Sequence, residues 1–439
     1  MKTKAQLDCR RYRLGNGLTL LVSENGRLPL VSVHAFVLAG ADQNPLSRPG
    51  LAALTARLLD EGTEKYSGPA LSELIENVGA GLSLFSHHEL TVLSLQVKAG
   101  DLEMGIELMA EMLRRPLFPA DPFRLEKEKV LTELKAMAED PQSLAGHLLN
   151  RAIFQGSPLQ YPVLGTEESI RQVELSEVRQ FHRRKYSPQD TLFVVVGAAA
   201  PDRVRQLASK SFGDWENRHY RRSLVAVPAR QTRPLLKEVA LDKEQVHVFL
   251  GHLGVRRQNP DFYALQVMDV ILGAGPGLTS RVPRRLRDEQ GLSYQVYCDI
   301  CGSSGLYPGR FAAYFSTSPN KRRGALEGLL SEIERLQREG VSETELVTAQ
   351  EYLTGSFVFE FQSNAELARL LLMTELFDLG IDYPQRYPEI IRGVQREDVA
   401  RVARNYLDTV NYTTVIVGPV EEVERQTRPE SDAKTAPPP

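Results

Sequence analysis

Eight histidines and three cysteines are the side chains of this 439-residue chain best suited to holding a metal ion or attacking a substrate. Their spacing supports neither task. Cys298 and Cys301 form a C-x-x-C, but the surrounding YQVYCDIC reads as a strand, where residues three apart point to opposite faces. No second cysteine pair or nearby histidine completes a zinc set, so a packing role is expected. His87 and His88 are adjacent in a predicted strand or its turn, which suits one shared ion poorly. His34, His147, His182, His219, His247 and His252 show no H-E-x-x-H and no clustering. A G-x-S-x-G nucleophile elbow is absent. The glycine-rich stretch GAGPG, residues 273–277, is followed by no Gly-Lys-Ser/Thr and lacks G-x-G-x-x-G spacing. It is expected to be a mobile connector rather than a phosphate cradle.

The elements that would position any site are legible in order. RYRL, the turn Asn16-Gly17 and LTLLV predict a hairpin, and LVSVHAFVLAG predicts a further strand. Leu51, Leu54, Leu58 and Leu59 mark an amphipathic helix over residues 50–63 with Gly62 as its stop. A helix over residues 70–77 follows, then strands at 81–86 and 91–97, helices at 101–115 and 122–139, and a strand at 191–196. In the second part the pattern predicts helices at 262–271 and 279–289, the strands GLSYQVYCDI and GRFAAYFST, and more helices over 322–406. The order repeats. Gly81-Leu82-Ser83 returns as Gly291-Leu292-Ser293, each placed after a helix and at the opening of a strand, and TLFVVVG ending at Gly197 returns as TTVIVG ending at Gly418. The expected fold is α+β, with two tandem homologous domains, each a mainly antiparallel sheet packed with helices, in a clamshell arrangement. Their bounds read as 1–215 and 236–423, with a polar, basic linker over 216–235 and a charged, disordered tail over 424–439.

Composition narrows the function. Lys and Arg number 53 against 56 Asp and Glu, a formal charge of −3, so neither a nucleic-acid footprint nor a polybasic membrane surface is suggested. No run of 18 or more apolar residues predicts a membrane span. MKTKAQLDCRRYRLGNG contains no apolar signal core, so the expected location is cytoplasmic, with the periplasm open to a chain whose signal has been removed.

The segment GLAALTARLLDEGT resembles the zinc helix of the insulinase, pitrilysin and mitochondrial processing peptidase family, whose inverted H-x-x-E-H lies between the same GLA opening and GT ending. Where that family carries His, Glu and His, this chain has Ala53, Ala56 and Arg57. The resemblance places the family's third zinc ligand at Glu133, in EKEKVLTELKAMAED. One carboxylate cannot replace the three protein ligands a catalytic zinc needs, and a divalent ion about 4 Å from the Arg57 guanidinium would be opposed by about 8 kcal/mol at an effective dielectric near 20. Arg57 and Glu133 are therefore expected to pair, with no metal in this chain. The alternative for Glu133 and Glu126 is a solvated helix face.

SRVPRRLRDEQGLSY resembles the family's second-half motif of an Arg followed seven residues later by Tyr, matched here by Arg287 and Tyr294. In the family this pair contacts the substrate carbonyl, a role that suits a guanidinium and a phenol donating to an oxyanion. The rival readings are a solvated basic face for Arg287, beside Arg281, Arg284 and Arg285, and a core-filling strand residue for Tyr294. Gly79-Ala80-Gly81-Leu82-Ser83-Leu84 resembles the family's substrate-gripping edge strand, with Ser83 where Asn is usual; backbone pairing with an extended peptide needs no side chain and survives. The resemblance implies the non-zinc-binding subunit of a hetero-oligomeric zinc metallopeptidase. Its partner would be a homologous subunit with an intact H-x-x-E-H that carries the zinc, its substrates unfolded peptides, and the isolated chain would be inactive. The alternative is a non-catalytic structural subunit resembling respiratory-complex core proteins.

Overall fold

The computed structural model describes residues 9–223, 225–275 and 280–419. Eleven strands run through them: β1 (Arg10–Arg13), β2 (Thr19–Glu24), β3 (Leu30–Val37), β4 (Gly81–Ser86), β5 (Thr91–Lys98), β6 (Thr191–Gly197), β7 (Leu235–Ala240), β8 (Val246–Leu253), β9 (Val296–Asp299), β10 (Arg310–Thr317) and β11 (Thr413–Gly418). They form two sheets, ordered β1-β2-β6-β3-β5-β4 and β7-β11-β8-β10-β9. Apart from β1 the two orders are the same. Each has one parallel pair, β2 with β6 and β7 with β11, and is otherwise antiparallel. The fold is thus α+β with two tandem domains, as the repeat implies.

The final strand of each sheet ends on the same backbone device. Gly197 has φ +142° and Gly418 φ +143°. A Cβ on Gly197 would lie 2.2 Å from the Leu30 carbonyl oxygen, and one on Gly418 would lie 2.5 Å from that of Gln245. Only glycine meets both the dihedral and the close approach. The second sequence repeat is displaced. Gly81 opens β4, whereas Gly291, at φ +58°, lies in a turn and β9 begins only at Val296. The amides of Leu292 and Ser293 both bond to the Leu286 carbonyl, which holds Gly291-Leu292-Ser293 to the preceding helix instead of the sheet.

Both faces of the central strands of each sheet are buried, because each half lends the other a helix. On the first sheet, Leu20, Val22, Val33, Phe193 and Val195 pack within their own half. The alternate residues Leu21, Phe36, Val92, Val194 and Val196 face a cluster made mostly by the second half, where the helix Asn364–Leu376 lies on β6 and β3. It is pinned at both ends. Asn25 Nδ2 donates to Asn364 Oδ1 at 2.9 Å, and Arg11 forks onto Glu375 with Nε and Nη2 at 2.8–3.0 Å. Reciprocally, the helix Pro141–Ile153 of the first half lies on β8 and β11. Its Ala145, Leu149 and Ile153 pack with Phe249, Tyr314, Val415 and Val417, and Asn150 accepts a bond from Arg310 of β10.

The connection between the sheets is bolted to the first half. Lys185 Nζ donates to the Arg221 carbonyl at 2.8 Å and to Ser223 Oγ at 2.7 Å, and the Ser223 amide donates to Gln43 Oε1 at 2.8 Å. Two expected helices are altered. The helix predicted over 262–271 is α-helical over Phe262–Asp269 and continues as a π-helix over Val270–Ala274. The one predicted over 279–289 is a single turn, Arg281–Pro283, followed by a π-helix at Arg284–Glu289. Of the GAGPG connector, Pro276 and Gly277 lie outside the described residues, as do Thr279 and the tail over 424–439.

Candidate functional site

The helix Leu51–Ala56 is shorter than the predicted one. After Ala56 its bonding tightens: the Leu58 amide reaches back to the Thr55 carbonyl and the Leu59 amide to that of Ala56, three residues instead of four. Leu58 and Leu59 remain fully buried, so the apolar spacing signalled burial beyond the helix itself. Ala53 and Ala56 are buried as well. Arg57 caps the C-terminal end and leans across to the helix Ala120–Glu139.

There the guanidinium forms a bidentate pair with Glu133: Nη1 donates to Oε1 at 2.8 Å and Nη2 to Oε2 at 2.6 Å. Glu126, two turns earlier on the same helix, is 3.8 Å from Nη1 and takes a second cation, Lys129, at 2.6 Å. Glu126 is only 7% exposed, so the solvated-face reading fails for it, whereas Glu133, 44% exposed at its side chain, stays part-solvated while paired with Arg57. The fork holds the Glu133 carboxyl below the usual carboxylate range, the hydrogen bond outweighing partial burial. Beside it opens a cleft of about 400 Å³ lined by Ala53, Arg57, Asp60, Glu61 and Glu126 and walled by Leu82, Leu84 and Phe85 of β4. β4 is the edge strand of its sheet, the position expected for peptide addition. The sequence reading placed Glu126 only on a solvated helix face and passed over Asp60 and Glu61, although DEG directly after the motif is a visible signal.

These residues do not fit a zinc ion. Two methyl groups and a guanidinium stand where the resemblance puts ligands and base, and Glu133 and Glu126 are already engaged with Arg57 and Lys129. Among the described residues no group of three or more His, Cys, Asp and Glu side chains is placed to hold a metal.

Arg287 and Tyr294 lie on one connection of the second half, Arg287 within the π-helix Arg284–Glu289 and Tyr294 two residues before β9. Tyr294 is 86% exposed; it neither fills a core gap nor belongs to a strand. Its hydroxyl has no protein partner among the described residues. Arg287 is half-buried and its Nε donates to Asp288 Oδ1 at 3.0 Å, leaving the terminal nitrogens of the fork uncommitted among the described residues. Neither residue lines the Arg57 cleft.

The other candidates are accounted for by packing. Cys298 and Cys301 are free thiols. Cys298, in β9, is fully buried and Cys301 follows the strand; burial first, then Asp269, pushes both thiols well up, away from the nucleophilic thiolate. His87 and His88 sit in the turn between β4 and β5, and burial pushes His88 down to about 4.

Comparison with known proteins settles the family. The description "Insulinase (Peptidase family M16)" matches residues 20–167, and "Peptidase M16 inactive domain" matches residues 172–353. The chain belongs to peptidase family M16. The part matching the inactive-domain description is the second, so it carries no information about the altered helix at Ala53–Arg57, which falls in the insulinase match. Among M16 relatives, an uncharacterized zinc protease of Mycobacterium tuberculosis is 27% identical over 425 residues, 94% of each chain. One of Bacillus subtilis is 24% identical over 93% of this chain and 98% of its own. Cytochrome b-c1 complex subunit 1, mitochondrial, of Caenorhabditis elegans is 25% identical over 88% of this chain and 84% of its own. The M16 fold is matched by the crystal structure of a peptidase M16 inactive domain from Pseudomonas fluorescens, with TM-score 0.87, 23% identity and coverage of 94% and 99%. A Helicobacter pylori protease gives TM-score 0.85 at 18% identity, with the same coverage. No helix among the described residues is long and apolar enough to cross a membrane.

Proposed function

We propose that this M16 chain is the non-zinc-binding subunit of a hetero-oligomeric metallopeptidase. Its Arg287 and Tyr294 donate to the carbonyl oxygen of an unfolded peptide whose cleavage is completed at the metal site of a homologous partner with an intact H-x-x-E-H. One observation carries this reading. The chain presents Tyr294 to solvent, seven residues beyond Arg287, while Arg57 of its own first half is held in an ion pair with Glu133. An exposed tyrosine contributes little to the stability of its own chain. It is suited to meeting something from outside, and the free ends of the guanidinium fork supply the second donor an oxyanion needs.

The test is reconstitution with the partner. Arg287→Ala and Tyr294→Phe are each expected to lower kcat by roughly 10²- to 10³-fold, the usual effect of deleting one oxyanion donor, and the isolated chain is expected to hydrolyse nothing with or without chelator. A specific observation favours a second reading, a non-catalytic assembly subunit: one relative is subunit 1 of a cytochrome b-c1 complex. Cleavage that is indifferent to both substitutions establishes that reading and removes the first.

A further inference from the structure

The Arg57 cleft has more negative charge than its cations offset. Asp60 and Glu61 line it from the turn after the short helix and Glu126 from the helix Ala120–Glu139, and Glu133 of that helix lies beside it in the fork with Arg57. The basic groups facing them are Arg57 and Lys129, and the β4 wall of Leu82, Leu84, Phe85 and Ser86 is uncharged. The short helix LAALTA has no other polar side chain that reaches across, its Leu51 and Leu54 sharing an apolar cluster with Val130 and Leu131. Its one hydroxyl, Thr55 Oγ1, is spent on the Leu51 carbonyl at 2.8 Å within the helix. The Arg57 fork is therefore the polar tie of this helix to the long one, made through two bonds to Glu133 and a longer contact to Glu126.

We infer that Arg57 is a resident cation: its guanidinium supplies, covalently and permanently, positive charge to Glu133 and Glu126 at the cleft, and it clamps the helix Leu51–Ala56 to the helix Ala120–Glu139. The joint closes without any metal supply. The guanidinium suits the task because it cannot lose its proton and its planar fork meets a carboxylate with two parallel bonds. With it removed, Lys129, bonded to Glu126, is left as the cation facing all four carboxylates, so the cleft becomes a place where a divalent ion relieves repulsion. The inference rests on the contacts within this chain and not on the partnership proposed above, so either can fail without the other.

The experiment is thermal unfolding of the full chain alone. Wild type is expected to keep the same Tm in chelator and in millimolar Zn²⁺ or Mn²⁺. Arg57→Ala is expected to lower Tm by several degrees, to gain a stabilising response to millimolar Mn²⁺ that wild type lacks, and to lose less in combination with Glu133→Gln than the two single losses together, since the second change removes a carboxylate the first left unbalanced. Additive losses with no cation response overturn the inference, as does wild type taking up an equivalent of zinc at this cleft. If Arg57→Ala does not accumulate, two milder variants decide. Glu133→Gln should lose several degrees, and Arg57→Lys, which keeps the charge and gives up the fork, should lose less. A Glu133→Gln protein as stable as wild type overturns it.

Discussion

Asp60 lies three residues beyond Arg57 and faces the same cleft without a partnered cation. Burial first, then Glu61 and Glu126, raises its carboxyl to about 6 from an ordinary 3.8, against its own backbone bond and Lys129. A carboxyl easier to protonate in the folded chain than in the unfolded one favours folding while protonated, and that advantage is lost as pH rises through about 6. Asp60→Asn removes the titration, so its Tm is expected to exceed that of wild type at pH 7.5, by roughly a few degrees, and to converge with it toward pH 4. A variant no more stable at pH 7.5 than wild type refutes the assignment. At this scale the sequence was informative where a known pattern had been altered. A guanidinium in a ligand's place pointed to the carboxylate across from it, and Glu133 is indeed there. It was mute about Glu126, because two glutamates seven residues apart share a helix face whether that face meets water or a neighbouring helix. The exposure of Tyr294 was equally hidden, since the GLSY pattern reads as a strand and the turn at Gly291 holds it off the sheet.

Among the elements, the strands were the most legible, because β3, β6 and β11 are short apolar runs with turn residues at their ends. Their repetition was legible too, through Gly197 and Gly418. Each ends a strand that pairs in parallel with the first long strand of its own sheet, at nearly identical φ. Replacing either by alanine places a Cβ against a backbone oxygen and forces a dihedral that side chains avoid, a cost on the order of 1–3 kcal/mol from the backbone alone. Gly197→Ala and Gly418→Ala are each expected to lower the urea midpoint without a change in slope; a midpoint equal to wild type in either would show that the device does not constrain the strand. The shortened helix at Leu51–Ala56 and the π-helices at 270–274 and 284–289 escaped detection because apolar spacing reports which residues are buried, and tighter or looser turns bury nearly the same ones.

For the molecule as a whole, what no periodicity could reveal is the exchange of helices. An apolar stripe on Pro141–Ile153 or Asn364–Leu376 calls for a sheet but does not say which one. The structure sends each to the far sheet. If the chain is split within the exposed stretch 226–230, each fragment has one bare sheet face and one homeless helix. The two are expected to be insoluble when made singly and to copurify as a complex when made together, checked by affinity capture through a tag on one. Soluble single fragments would show that the exchange is dispensable. The same arrangement governs events on the ribosome. β6 is complete at Gly197, yet the helix that shields its second face ends at Leu376. At bacterial-to-eukaryotic elongation rates of ~5–20 residues per second, the nascent chain carries Phe36, Val92, Val194 and Val196 unshielded for roughly ten seconds or longer. That interval is when a holdase should find this protein, and arrested chains ending shortly before and shortly after residue 376 should differ sharply in their resistance to protease.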